Sequence, residues 1–307
     1  MRNTLGKVID SNVLVVINLI ISTLLWVPDF IGTDLSAGYI FTLLGTYLAM
    51  VVNAVLLMLI TLDMGVTRTQ STTLVALYML FIGSLSTLHV AWKDQLVVLA
   101  FLLASLLTLK TFRKPHAVEE SLLATILLCL ASLLIPDILL FIPMLWLMFY
   151  VERSLNLRVW LASLIGVGVI LIYAALMQHF GWICLGSPSY IVSRTHAAEL
   201  STWQIVQLST LAFESLLTLC FAVAALRDEI YSIQSYLICF GVSMFLSAIM
   251  MFFPPEHFSS LLPITILGLT ALLTYYFNKK HTTKANILFL LHNLVWIGLG
   301  VFSQIIP

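Results

Sequence analysis

Apolar residues run through this chain in long blocks, and polar residues gather in short clusters between them. The blocks cover 11–31, 37–62, 72–91, 94–112, 118–136, 137–152, 157–180, 204–226, 230–253, 258–278 and 285–304. A bilayer core roughly 30 Å thick takes about 20 apolar residues in helical form, and each block meets or approaches that length. Turn signals such as "VPDF", "RKPH", "IPDI", "GSPS" and "FPPEH" fall between the blocks. The pattern predicts an all-α, polytopic transmembrane bundle of about eleven helices. No linker, low-complexity tract or visible internal repeat interrupts it, so residues 1–307 read as a single integral membrane domain with no soluble domain.

Composition narrows the solvent. The chain is 61% hydrophobic and 9% charged, with a mean hydropathy of +1.07. A soluble domain is about a quarter charged, so lipid must cover most of this surface. Fourteen basic residues balance fourteen acidic ones, which leaves no basic field for nucleic acid. Cys129, Cys184, Cys220 and Cys239 are scattered, which fits neither a disulfide framework nor a CxxC site. Arg2 and Lys7 precede an apolar run with no small-x-small cleavage site after it, so the first block reads as an uncleaved helix.

The basic residues predict orientation. With the N-terminus cytoplasmic, the inner segments hold Arg2, Lys7, Arg68, Lys110, Arg113, Lys114, Arg153, Arg158, Arg227, Lys279, Lys280 and Lys284. The outer segments hold only Lys93 and Arg194. This asymmetry predicts an N-in, C-out topology in the cell inner membrane, with the C-terminus periplasmic. Basic clusters on both sides of the 118–152 pair require an even number of crossings between them. Trp26, Trp92, Trp182 and Trp203 fall at predicted outer ends and Trp160 at an inner one, as an aromatic belt would place them.

Two groups of residues carry candidate chemistry. Glu214 and His292 lie in the middle of apolar runs, where a carboxylate costs about 2.5–3.5 kcal/mol on insertion scales. Glu214 is either a proton carrier or cation site, or a neutral acid hydrogen-bonded to a neighbouring helix. His292 is either its relay partner or a satisfied helix–helix contact. Asn18 and Asn53 read as interhelical hydrogen-bonding residues. The second group faces outward. Asp29 and Asp34 form an acidic pair suited to a divalent cation or a catalytic base; capping roles suit them equally well. Arg194, flanked by His196 and Glu199, offers a guanidinium able to grip a phosphate in bidentate fashion at the outer leaflet, or simply a solvated loop residue. Glu256 and His257 follow a double proline, and Asp137 reads as the cap of the helix after Pro136. Walker A, HExxH and nucleophile-elbow patterns are absent, and nothing else implies a cofactor.

Residues 135–173, "IPDILLFIPMLWLMFYVERSLNLRVWLASLIGVGVILIY", resemble a segment of an uncharacterised Bacteroidota family of polytopic inner-membrane proteins of about this length. Pro136, Pro143, Trp146, Arg153 and "NLRVWLASLIG" carry that resemblance. In architecture the chain is also similar to GT-C-type glycosyltransferases and O-antigen polymerases or ligases. That likeness implies an acid in the first outer loop, matched by Asp29 or Asp34, and an outer-loop arginine and histidine, matched by Arg194 and His196. The loop at 186–203 is short for such an enzyme. Three functions follow as expectations. The first is cell-envelope assembly on a lipid-linked sugar phosphate, as a GT-C-like glycosyltransferase. The second is a non-catalytic membrane subunit docking other envelope proteins. The third is a secondary transporter with Glu214 and His292 as a midplane relay, in which the short 118–152 pair is the discontinuous element.

Overall fold

A computed structural model describes residues 12–28, 36–67, 72–112, 114, 116–180, 202–252, 258–279 and 283–305. Among them are eleven α-helices: α1 (Asn12–Leu24), α2 (Ala37–Asp63), α3 (Thr72–Ser84), α4 (Trp92–Leu109), α5 (Val118–Ser132), α6 (Ile142–Val151), α7 (Leu157–His179), α8 (Thr202–Ala225), α9 (Tyr231–Phe252), α10 (Phe258–Lys279) and α11 (Thr283–Ile305). Short 3₁₀ turns at Ser86–Leu88 and Pro136–Phe141 interrupt the series. Each predicted block therefore corresponds to a helix. Six helical stretches, in α2, α4, α7, α8, α9 and α10, are long and apolar enough to cross a membrane, and Thr72–Ser84, Pro136–Val151 and Ile287–Phe302 are shorter apolar helices. The chain is a multi-pass helical membrane protein.

Local chemistry sets several boundaries. Ser36 caps α2 by accepting from the Tyr39 amide. The same helix ends at Gly65, which takes a positive φ of 72° while the Val66 amide reaches back to the Thr61 carbonyl. Asn156 opens α7 by accepting from the Val159 amide. Two expectations change here. Asp137 is buried within the first turn of Pro136–Phe141; Ile135 holds the cap position, with no side-chain cap bond. Pro136 fixes the turn one residue earlier than a capping aspartate would need. The block at 72–91 is not one helix either, because α3 stops at Ser84 after 13 residues. At 1.5 Å per residue that is roughly 20 Å, about two thirds of a bilayer core.

The bundle is built around α3 and α10. Nearly every side chain of α3 is buried, between α1, α2, α10 and α11. In α10, 89% of the apolar window is buried, against 22% in α8, so α10 is interior and α8 peripheral. α9 lies along α10, while α5 packs between α4 and α7. Polarity is distributed as lipid demands. Phe41, Leu48, Ile165, Ile172, Phe213 and Leu294 face outward, whereas Thr46, Thr61, Ser84, Thr108, Thr125 and Thr270 are interior. Each of these interior hydroxyls donates to the carbonyl four residues back in its own helix, so none needs water. Trp26 departs from the belt reading: it is buried, and its ring stacks on His89 at 4.1 Å.

The loop between α8 and α9 is tied to the end of α10. Glu229 accepts hydrogen bonds from Lys279 Nζ and, at 2.8 Å, from the Tyr275 hydroxyl. Burial pushes the Glu229 carboxyl up, but these bonds and the Lys279 charge outweigh it and hold it below the usual carboxylate range.

α9 and α10 pack closely at Gly268, where an added Cβ would lie 2.7 Å from both Met244 Cβ and the Phe240 carbonyl oxygen. Gly45, on α2, has open space at the corresponding position. Gly268→Ala is expected to destabilise the bundle by about 1–3 kcal/mol, as overpacking does. Gly45→Ala should be neutral or slightly stabilising. Thermal unfolding in detergent checks the pair, and equal effects at the two sites would contradict the packing.

Candidate functional site

Halfway along α8, Glu214 turns toward α11 and meets two donors on one face of that helix. His292 and Trp296 are four residues apart, so their rings project one turn apart in the same direction. His292 Nδ1 lies 2.9 Å from Glu214 Oε1, and Trp296 Nε1 donates to Oε2 at 2.9 Å. Both carboxyl oxygens are thus engaged. Phe81 of α3 packs edge-on against the two rings, at 5.1 Å from His292 and 4.8 Å from Trp296. The Glu214 side chain keeps 18% of its surface accessible while His292 keeps 6%, so any approach to the pair comes from the carboxyl side.

Two features make this more than an isolated contact. His292 Nε2 is buried without a hydrogen-bond partner, as is the Ser215 hydroxyl next to Glu214. The neighbouring Asn293 projects from a different face of α11, where its Oδ1 accepts from Asn18 Nδ2 of α1 at 2.7 Å. One short segment of α11 therefore clamps α8 on one flank and α1 on the other, with α3 between. A pair of this kind can hold a proton in more than one place. A carboxylate can accept from imidazole Nδ1–H, an imidazolium can pair with the carboxylate, or a carboxylic acid can donate to neutral Nδ1.

The break in α3 lies on the same side of the bundle. Ending the helix at Ser84 frees carbonyl groups that water cannot reach. Side chains take two of them: Gln207 Nε2 of α8 donates to Ser84 O at 3.2 Å, and His89 Nε2 sits 3.1 Å from Gly83 O. Gln207 lies seven residues before Glu214, on the same stripe of α8 as the buried Leu211 and Thr218. Apolar hydropathy hides this break because Leu85 and Leu88 continue the greasy run.

Among the sequence-predicted residues, Glu214 and His292 are brought together. Asn18 bonds across to α11, and Asn53 bonds across to Gln95 of α4, donating to its backbone oxygen at 2.9 Å and its side-chain Oε1 at 3.0 Å. Asp29, Asp34, Arg194, His196 and Glu199 lie outside the described residues, as do Glu256 and His257. Trp296, Gln207, Ser84 and His89 join the site without having been singled out. The i, i+4 spacing of His292 and Trp296 was the available signal for the first. Among the described residues, no group of three or more His, Cys, Asp or Glu side chains could hold a metal ion.

Comparison with family models, curated proteins and solved structures finds no match for this chain.

Removing Glu214 leaves His292 buried without a partner, and removing His292 leaves Glu214 held by Trp296 alone. Glu214→Leu and His292→Leu are each expected to lower stability, and the double variant to cost less than their sum. A coupling of about 0.5–2 kcal/mol is the scale seen for intramembrane polar pairs. A double-mutant cycle by unfolding in mixed micelles measures it, and strict additivity would mean the two side chains do not interact.

Proposed function

We propose that the protein is a secondary transporter of the cytoplasmic membrane, with Glu214 and His292 as its proton-carrying centre. The contact between a mid-helix carboxyl and a mid-helix imidazole is the observation that carries this reading. Ionisable groups inside a membrane bundle are expensive, and they mark ion pathways and proton relays. The partnerless Nε2 of His292 leaves a second position for proton exchange. The early end of α3 adds non-helical backbone next to the helices that carry the pair, of the kind such proteins place beside their sites.

The working step follows from the hydrogen bonds. As a carboxylate, Glu214 accepts from both Trp296 and His292, and charge-assisted bonds of this type are roughly twice as strong as neutral ones. Protonating Glu214 removes that charge, weakens the grip of Trp296 and loosens α8 against α11. The proton is thereby coupled to the packing of two helices that flank the central α3. A solute that binds one packing better than the other would move with the proton.

Proteoliposomes holding a pH-sensitive dye, challenged with panels of amino acids, organic acids and sugars, test this directly. At least one solute class should drive proton flux, and Glu214→Gln should abolish it, a loss of tenfold or more, while His292→Gln reduces it. Solute uptake that is unchanged in Glu214→Gln would remove Glu214 from the mechanism.

A second reading rests on the scarcity of outward cations. Arg194 is one of two basic residues in the segments expected outside, and it suits a lipid-linked sugar phosphate handled during envelope assembly, with Asp29 or Asp34 as base or divalent-cation ligand. Arg194→Ala and Asp29→Ala would then alter surface polysaccharide at unchanged protein abundance. Normal glycans in both variants would exclude it.

A further inference from the structure

A second buried carboxyl lies where α4 and α6 end and α9 begins. Glu152 directly follows the last residue of α6 and is only 1% exposed. Arg153, next in the chain, is exposed and takes a left-handed φ of 56°, a conformation that glycine adopts at less cost. The Arg153 amide closes this turn on the Tyr150 carbonyl, and the Ser154 amide on the Phe149 carbonyl, both at 3.0 Å. The turn thus buries the acid and leaves the base outside. Among the described residues, Glu152 makes no ion pair within 4.0 Å.

α4, α6 and α9 pack against one another around this carboxyl. The Ser235 hydroxyl of α9 is close enough to act on it. The Glu152 charge also reaches the Cys239 thiol, one turn along α9 and beside Ser105 of α4. Yet Glu152 Oε1, Ser235 Oγ and Ser105 Oγ are all buried without a hydrogen-bond partner. Such oxygens are costly to leave dry, and three in one cluster point to a missing common partner. The neighbouring chain ends close over them. The Thr111 and Ser154 hydroxyls lie 3.2 Å apart, the Tyr231 hydroxyl donates to the Val151 carbonyl, and Phe112 stacks on Tyr231 at 4.2 Å.

We propose that this cluster binds one Na⁺ ion, with Glu152 Oε1 and Ser235 Oγ as ligands and Ser105 Oγ offering a third oxygen from α4. Hard cations take oxygen ligands. Oxygens about 2.4 Å from a shared cation stand roughly 3.4 Å apart, too far to bond one another well. A proton on Oε1 would instead need an acceptor within hydrogen-bond reach, and there is none. A water molecule would leave the buried carboxylate charge without a counter-charge. The single carboxylate selects a monovalent ion, because a divalent one would leave net charge in the interior. The C-terminal end of α6 adds the negative pole of a helix, a setting in which membrane proteins coordinate Na⁺. The site does not depend on the Glu214 reading, since it shares no residue with that pair.

Equilibrium dialysis of the purified full-length protein against radiolabelled Na⁺ tests it, with ionic strength held constant by choline chloride. Wild type should bind one Na⁺ per chain saturably. Glu152→Gln, which keeps the size and shape of the side chain, should abolish binding. Ser235→Ala should weaken it about tenfold, the scale of one polar contact to a charge. The unfolding temperature in detergent should rise with Na⁺ for wild type and stay flat for Glu152→Gln. If Glu152→Gln fails to fold, Ser235→Ala keeps the test decisive, because it leaves the carboxyl in place. An absence of saturable binding by wild type would overturn the site. So would wild-type affinity in either Glu152→Gln or Ser235→Ala.

Discussion

The absence of water in the bilayer core governs this molecule. A polar group placed there must find its partner within the protein or carry a cost of several kcal/mol. Most of the interior polar residues obey this cheaply, as threonine and serine hydroxyls bonding back to their own helices. Others reach across. Among these cross-helix solutions are Asn18 to Asn293, Asn53 to Gln95, Tyr78 to Gln95, Gln207 to Ser84, and Glu214 to His292 and Trp296. Together they tie α1, α2, α3, α4, α8 and α11 into one bundle, where leucine packing alone would leave helices free to slide in lipid.

Glu214 differs from the other members of that set. An asparagine or glutamine pair is fixed in charge, so it can only hold or fail to hold. A carboxyl beside an imidazole changes its hydrogen bonds whenever a proton moves, and this one stands at the junction of a peripheral helix with the core. In the proposed transporter, that clamp is the place where the packing of α8 on α11 changes. The short α3 adds to this, since its freed carbonyls depend on Gln207, a residue of the same α8 stripe.

Much of the architecture was legible in the sequence because lipid imposes a simple rule, and every apolar block contains a helix. What hydropathy could not register was a change of backbone inside an apolar run. Leu85 and Leu88 are as greasy as a helix would make them, so the end of α3 at Ser84 left no trace. Trp26 shows the same blindness to direction: a tryptophan at the end of a span can sit in a belt or stack on a buried histidine, and only packing decides. Glu214 and His292 were conspicuous because charge in such runs is rare. Their contact was not, since they are 78 positions apart and no pattern along the chain connects them.

The central claim is that the Glu214–His292 contact holds an exchangeable proton. Infrared difference spectroscopy of the purified protein in bilayers, stepped between acid and neutral pH, reads the carboxyl C=O stretch directly. A protonated-carboxyl band that appears with falling pH, shifts in His292→Gln and is lost in Glu214→Gln is the expected result. A difference spectrum identical in wild type and Glu214→Gln would contradict it, leaving the pair as a fixed clamp between α8 and α11.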